Sequence, residues 1–166
     1  MLNQFGSVVF TRQDLPAIQT LRDVKNKRVA AVGLYSLGGF LMAADTLLKA
    51  NVNLQSSDVR ELKFVGLPLT NVVESVMAGD ADVGIVRTGV LELMARQGKL
   101  NLSEVRVLNP RPKSEFPQAL TTDLYPEWPW AAMPQAPEAL VKSVAIALLN
   151  VRPDSAEAKA GRYDSF

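Results

Sequence analysis

Residues 31–44 read AVGLYSLGGFLMAA. The apolar segment Arg28–Val32 runs into the turn Ser36-Leu37-Gly38-Gly39, and an apolar-periodic helix opens directly afterwards. A strand feeding a helix through a small-residue turn is the repeating unit of a parallel sheet. The first N–H groups of such a helix have no partner inside it, and the positive end of its dipole points the same way. Glycines let a ligand approach the backbone, and the Ser36 hydroxyl adds a donor. The chemistry is that of an anion site, although a Ser N-cap before small residues also starts ordinary helices.

The same alternation continues on both sides of this turn. Gly6–Thr11 reads as a strand and Ile18–Val24 as a short helical turn. Gly39–Ala50 reads as a helix with Phe40, Ala43, Ala44, Leu47 and Leu48 on one face. Val59–Val65 alternates in the manner of a strand near a sheet edge. Thr70–Ala78 places Leu69, Val72, Val73, Val76 and Met77 at helical spacing, with Gly79 as its C′ residue. Asp82–Val86 is a buried strand, Thr88–Gln97 a helix and Val105–Asn109 a further strand. From Pro110 to Pro137, seven prolines forbid regular helix or central strand. Pro137–Val151 reads as a last helix with Leu140, Val141, Val144, Ala145 and Leu148 inward, and Arg152–Phe166 as a polar, loosely ordered tail. The fold class is α/β, with a mainly parallel, doubly wound sheet whose ligands bind at the C-terminal strand ends.

Composition removes whole classes of function. The 166 residues carry a net charge of +1, with 18 basic and 17 acidic side chains spread along the chain. No basic block supports nucleic-acid or membrane-surface binding, and no stretch approaches the roughly twenty apolar residues of a membrane span. The N-terminus lacks the pattern of a signal peptide. With no Cys and no His, thiolate chemistry, Ser-His-Asp triads, imidazole metal sites and phospho-histidine transfer are excluded. No metal ligand set, cofactor motif or catalytic residue is assigned. Asp80, Asp82 and Glu92 have no neighbours that would tune them for acid–base work.

Two further turns reach the rim that holds Ser36. Arg87 leaves a buried strand in Gly84-Ile85-Val86-Arg87-Thr88-Gly89, with Thr88 placed to cap the next helix. A guanidinium fork there matches the paired oxygens of carboxylates, phosphates and sulfur oxyanions. Gly66-Leu67-Pro68-Leu69-Thr70 brings Leu69 and Thr70 to the same rim. The candidate ligand-binding set is therefore Ser36, Leu37, Gly38, Gly39, Leu69, Thr70, Arg87 and Thr88. The segment Tyr125-Pro126-Glu127-Trp128-Pro129-Trp130 reads as packing for a surface loop, with ligand stacking as the alternative. A phosphate-holding enzyme is disfavoured, because the Ser36 turn is neither GxGxxG nor GxxxxGK[ST] and has no adjacent base.

The order LRDVKNKRVAAV, Ser/Gly turn, ELKFVGLP and VVESVMAGDADVGIVRTGVLE resembles the second lobe of type 2 periplasmic binding proteins, within them the phosphonate-binding group. The details VRTGVLELMA, VRVLNP and LYPEWPWAAMP are similar to extracytoplasmic sensor domains of histidine kinases related to tetrathionate sensors. The resemblance runs from about Gly6 to Val151. It implies a two-lobed clamp that closes on a small anion, in the periplasm, as the sensor of a membrane-anchored kinase or as the receptor of an importer. Residues 1–20 would be the hinge strand and its lead-in, 21–108 a complete second lobe, and 109–166 the return crossing and a helix of the first lobe. Such proteins begin with an N-terminal half-lobe of roughly a hundred residues, which is missing before Gly6. The hinge strand and the last helix are then expected to lack neighbours, leaving an apolar patch and homodimerisation through those two elements. Phosphonate, phosphate, thiosulfate, tetrathionate and small carboxylates all satisfy the same donors.

Overall fold

A computed structural model of the chain describes residues 4–112, 116–127, 131–152 and 154–161. It divides into two compact units, one of residues 6–123 and one of residues 1–5 with 124–166.

The larger unit is built on β2 (Ser7–Arg12), β3 (Arg28–Ala31), β4 (Glu61–Phe64), β5 (Val83–Arg87) and β6 (Val105–Val107), in the spatial order β4-β3-β5-β2-β6. β3 runs parallel to β4 and to β5, whereas β2 is antiparallel to both β5 and β6. Four strands therefore end where β2 begins. Side-chain alternation sends successive strand residues to opposite faces. Val9, Val29, Ala31, Val83 and Ile85 join Phe40, Ala43 and Leu47 in one core, and Val8, Phe10, Ala30 and Val86 join Val72, Val73, Val76 and Leu91 in the other. Helix α1 (Met42–Lys49) covers the first face, and α2 (Thr70–Met77) with α3 (Val90–Arg96) the second. Burying a side chain such as Val29 or Phe40 stabilises by about 1.5–3 kcal/mol.

The expected edge strand and the α2 periodicity appear as read, and Gly79 follows α2 at a φ of 84°. Other expectations change. The hinge strand is not an open edge, because β2 is bonded on both sides, by β5 and β6. Leu48 is 57% exposed rather than inward. A π-helical turn over Leu37–Leu41 precedes α1, and the buried side chains of the two are Phe40, Met42, Ala43 and Leu47.

The smaller unit pairs β1 (Gln4–Phe5) antiparallel with β7 (Tyr125–Pro126) and contains α4 (Glu138–Leu149) and α5 (Ala156–Gly161). α5 stands where a loosely ordered tail was expected. No residue of α4 is buried: Leu140 and Val144 are exposed, and Val141 and Leu148 are half-buried. A ribbon of two-residue strands is too small to cover twelve helical residues. Trp128, Pro129 and Trp130 lie outside the described residues.

Candidate functional site

The C-terminal ends of β3, β4 and β5 bring three strand-to-helix turns to one end of the larger unit. In the first, Ser36 is the N-cap of the π turn, and its hydroxyl oxygen accepts the Gly39 N–H at 3.2 Å. That bond leaves the hydroxyl proton available to a ligand. It also uses the Gly39 N–H, which the sequence had offered to the anion. As the first two helical residues, Leu37 and Gly38 have N–H groups with no acceptor inside the helix. No described residue accepts from them outside it. A Cβ at Gly39 would lie 2.5 Å from Val32 Cγ1 and 2.6 Å from Ser36 Oγ, so the turn closes only around a glycine.

Arg87 sits at the end of β5, directly opposite Ser7 of β2. Cross-strand partners project to the same face. The row Val83, Ile85, Arg87 thus continues beneath Phe40 and the Ser36 turn. The Arg87 side chain is half-buried.

Thr88 does not cap α3. Gly89 holds the N-cap position at a φ of 86°, a left-handed conformation that favours glycine. The Thr88 hydroxyl turns inward and accepts the Gly6 N–H at 3.3 Å. The third turn lies on the α2 side of the sheet. Leu69 is the N-cap of α2 without a side-chain cap bond, and its Cδ2 would lie 3.2 Å from a Cβ at Gly39. The Ser36 and Leu69 turns therefore adjoin.

Two of the three carboxylates set aside in the sequence, Asp82 and Glu92, have structural partners. Asp82 accepts the Arg28 N–H at 2.9 Å and its Nη2 at 2.7 Å, at the opposite end of the sheet. The Arg28 side chain holds the Asp82 carboxyl below the usual carboxylate range. Glu92 accepts the Ala119 N–H at 2.6 Å. Among the described residues, no three carboxylates gather as a metal site, and no helix is long and apolar enough to cross a membrane.

Residues 2–165 match the family model of phosphonate-binding periplasmic substrate-binding proteins of ABC transporters. The chain belongs to that family. This phosphonate-binding-protein-like domain is also 32% identical, over 148 residues, to the tetrathionate sensor histidine kinase TtrS of Salmonella typhimurium. That match takes in 89% of this chain and 24% of the kinase. Among solved structures, PhnD1 of Prochlorococcus marinus in complex with methylphosphonate superposes with a TM-score of 0.69 at 19% identity, over 95% of this chain and 57% of that one. XAC2383 of Xanthomonas citri bound to ATP gives a TM-score of 0.68 at 18% identity, over 96% and 56%. The domain thus spans little more than half of these structures and about a quarter of the kinase.

One residue of the site was missed by sequence reasoning. Ser7 is fully buried and reaches the Ser36 turn from the start of β2. A lone serine in an apolar strand carries no local signal of such a contact.

Proposed function

We propose that this domain binds a small oxyanion in the periplasm and signals its presence to a sensor histidine kinase in a membrane-anchored parent protein. One observation carries the binding half of the reading. The three turns, residues 33–41, 65–72 and 87–90, contain a single charged side chain, Arg87, and no carboxylate. A ligand carrying an ammonium group finds no counter-charge in these turns, whereas an oxyanion finds a guanidinium, two N–H groups and a hydroxyl. In this reading Arg87, the Ser36 hydroxyl and the Leu37 and Gly38 N–H groups contact the anion. Gly39 shapes the turn, Leu69 and Thr70 form the adjoining wall, and Thr88 holds the strand beside them. Residues 21–108 act as the second lobe of a clamp, 1–20 as the hinge strand and its lead-in, and 109–166 as the return crossing with a first-lobe helix.

The similarity to TtrS supports the sensor output. The family description supports a second reading, the receptor of an importer for phosphonate-like anions. The gene sequence beyond Phe166 separates them: a membrane helix followed by a kinase core, or a stop. Self-association through α4 belongs to the same proposal, since Leu140, Val144, Ile146 and Leu149 are exposed along it. Light scattering at micromolar protein should detect a dimer, and a monomer would remove α4 from the reading.

Binding is tested by calorimetry with methylphosphonate, inorganic phosphate, sulfate and tetrathionate, using glycine and arginine as zwitterionic controls. At least one oxyanion should bind and neither control should. Failure of all four at millimolar concentration would end the anion reading.

A further inference from the structure

We infer that Ser7 is a positioning residue, a buried lock that sets the Ser36–Gly39 turn and ties it to the segment 121–123. The inference rests on the anion reading for its purpose but not for its test.

Every polar group of Ser7 is engaged. Its hydroxyl donates to the Gly38 carbonyl at 2.7 Å. Its N–H donates to the Thr122 hydroxyl at 3.0 Å, and its carbonyl accepts the Thr121 N–H at 2.9 Å. Thr122 in turn donates to the Asp123 carbonyl at 2.8 Å, one bond before the chain leaves the larger unit.

The first bond holds a peptide that needs holding. Gly38–Gly39 joins the two least restricted residues of the turn. The Gly38 carbonyl is gripped by Ser7, and the N–H of the same peptide is gripped by Ser36. Fixing both ends of that plane keeps the carbonyl directed at the sheet and away from a bound anion. It also selects the wide first turn, in which the Leu41 N–H reaches the Ser36 carbonyl at 3.0 Å and the Met42 N–H reaches Leu37. π turns of this kind recur at functional sites. A plain alanine would fill nearly the same space in the strand, so the hydroxyl is the feature to explain.

The strand supplies its own control. Thr11 lies on the same face of β2 at the far end, is equally buried, and donates its hydroxyl to the Asp82 carbonyl at 2.7 Å. If both hydroxyls serve stability alone, Ser7→Ala and Thr11→Val should behave alike. Amide hydrogen exchange of the full 166-residue chain, followed by NMR without ligand, distinguishes the cases. Ser7→Ala should speed exchange of the Gly39 and Leu41 amides at least tenfold, with a smaller rise at Thr122, and leave Val29 and Ile85 unchanged. Thr11→Val should not alter the turn. Wild-type exchange at Gly39 and Leu41 in Ser7→Ala overturns the lock, as does equal loosening of the turn by Thr11→Val. A methylphosphonate titration of the same samples reports separately on the site. Shifts at Leu37 and Gly38 in the wild type, weakened at least fivefold in Ser7→Ala alone, support the lock's purpose. If no wild-type shift occurs with any oxyanion, the anion reading falls while the exchange data still decide the lock.

Discussion

The two ends of the central sheet are held together by different chemistry. At the end where β3 and β5 begin, arginines do the work. Arg28 grips Asp82, Arg12 bonds the Val76 carbonyl and Asp14, and Arg106 bonds the carbonyls of Leu15 and Ile18. At the end where the helices start, neutral hydroxyls do the same work. Ser7 bonds Gly38, Thr88 accepts from Gly6, and Thr121 bridges Val9 and Leu108. Both schemes satisfy buried polar groups. The hydroxyl bonds put no charge of their own beside Arg87, whereas an arginine clamp there would bring a carboxylate that repels an anion. On the proposed reading, the difference separates stability from recognition along one set of strands.

The strongest way to break this contrast is Gly39→Val. The added side chain meets Val32 Cγ1 and Ser36 Oγ, so the turn must open, and affinity for methylphosphonate should fall more than a hundredfold. Helical circular dichroism should persist, because α1 begins three residues later at Met42. Normal affinity would show that the glycine serves helix packing alone.

Arg87→Ala comes next. A lost charge-assisted hydrogen bond costs about 1.5–3 kcal/mol, and 1.4 kcal/mol is a factor of ten. Calorimetry should therefore give at least a tenfold loss, and unchanged affinity would remove Arg87 from the site.

At the opposite end, Asp82→Asn should act on stability and spare binding. The carboxylate accepts three hydrogen bonds from Arg28 but is partly exposed, so we expect a loss of about 1–2 kcal/mol in denaturant unfolding. Affinity should change less than twofold. The Asp82 carboxyl is held below its ordinary value of 3.8, chiefly by the hydrogen bond from the Arg28 side chain. Its stabilisation is complete above that value and is lost as pH falls through the lowered one. The wild type should thus weaken in acid more steeply than the variant, and parallel curves would refute the assignment.

Much of this arrangement was legible in the sequence, because it rests on local pattern. The α2 stripe, the edge position of β4 and the Ser36 cap each follow from spacing within one element. What escaped depends on partners far away in the chain. Thr88 looked like a cap, yet its hydroxyl serves Gly6, 82 residues earlier. Leu48 escaped because a 3.6-residue period does not fix how wide the buried face of α1 is, and that face stops at Leu47. Ser7 escaped because its meaning lies 31 residues on, at Gly38. The apolar face of α4 was legible as apolar, but periodicity alone cannot say what covers it.

The neutral scaffold also governs what the domain can be confused by. The three turns contain no imidazole, thiol, ammonium or carboxylate group. Two carboxylates at this end are already engaged, Asp123 by Arg111 and Glu92 by the Ala119 N–H. On the proposed reading, an anion receptor built on these turns would follow the concentration of its ligand with no imidazole, thiol, ammonium or carboxylate of the turns responding to the sourness of the medium.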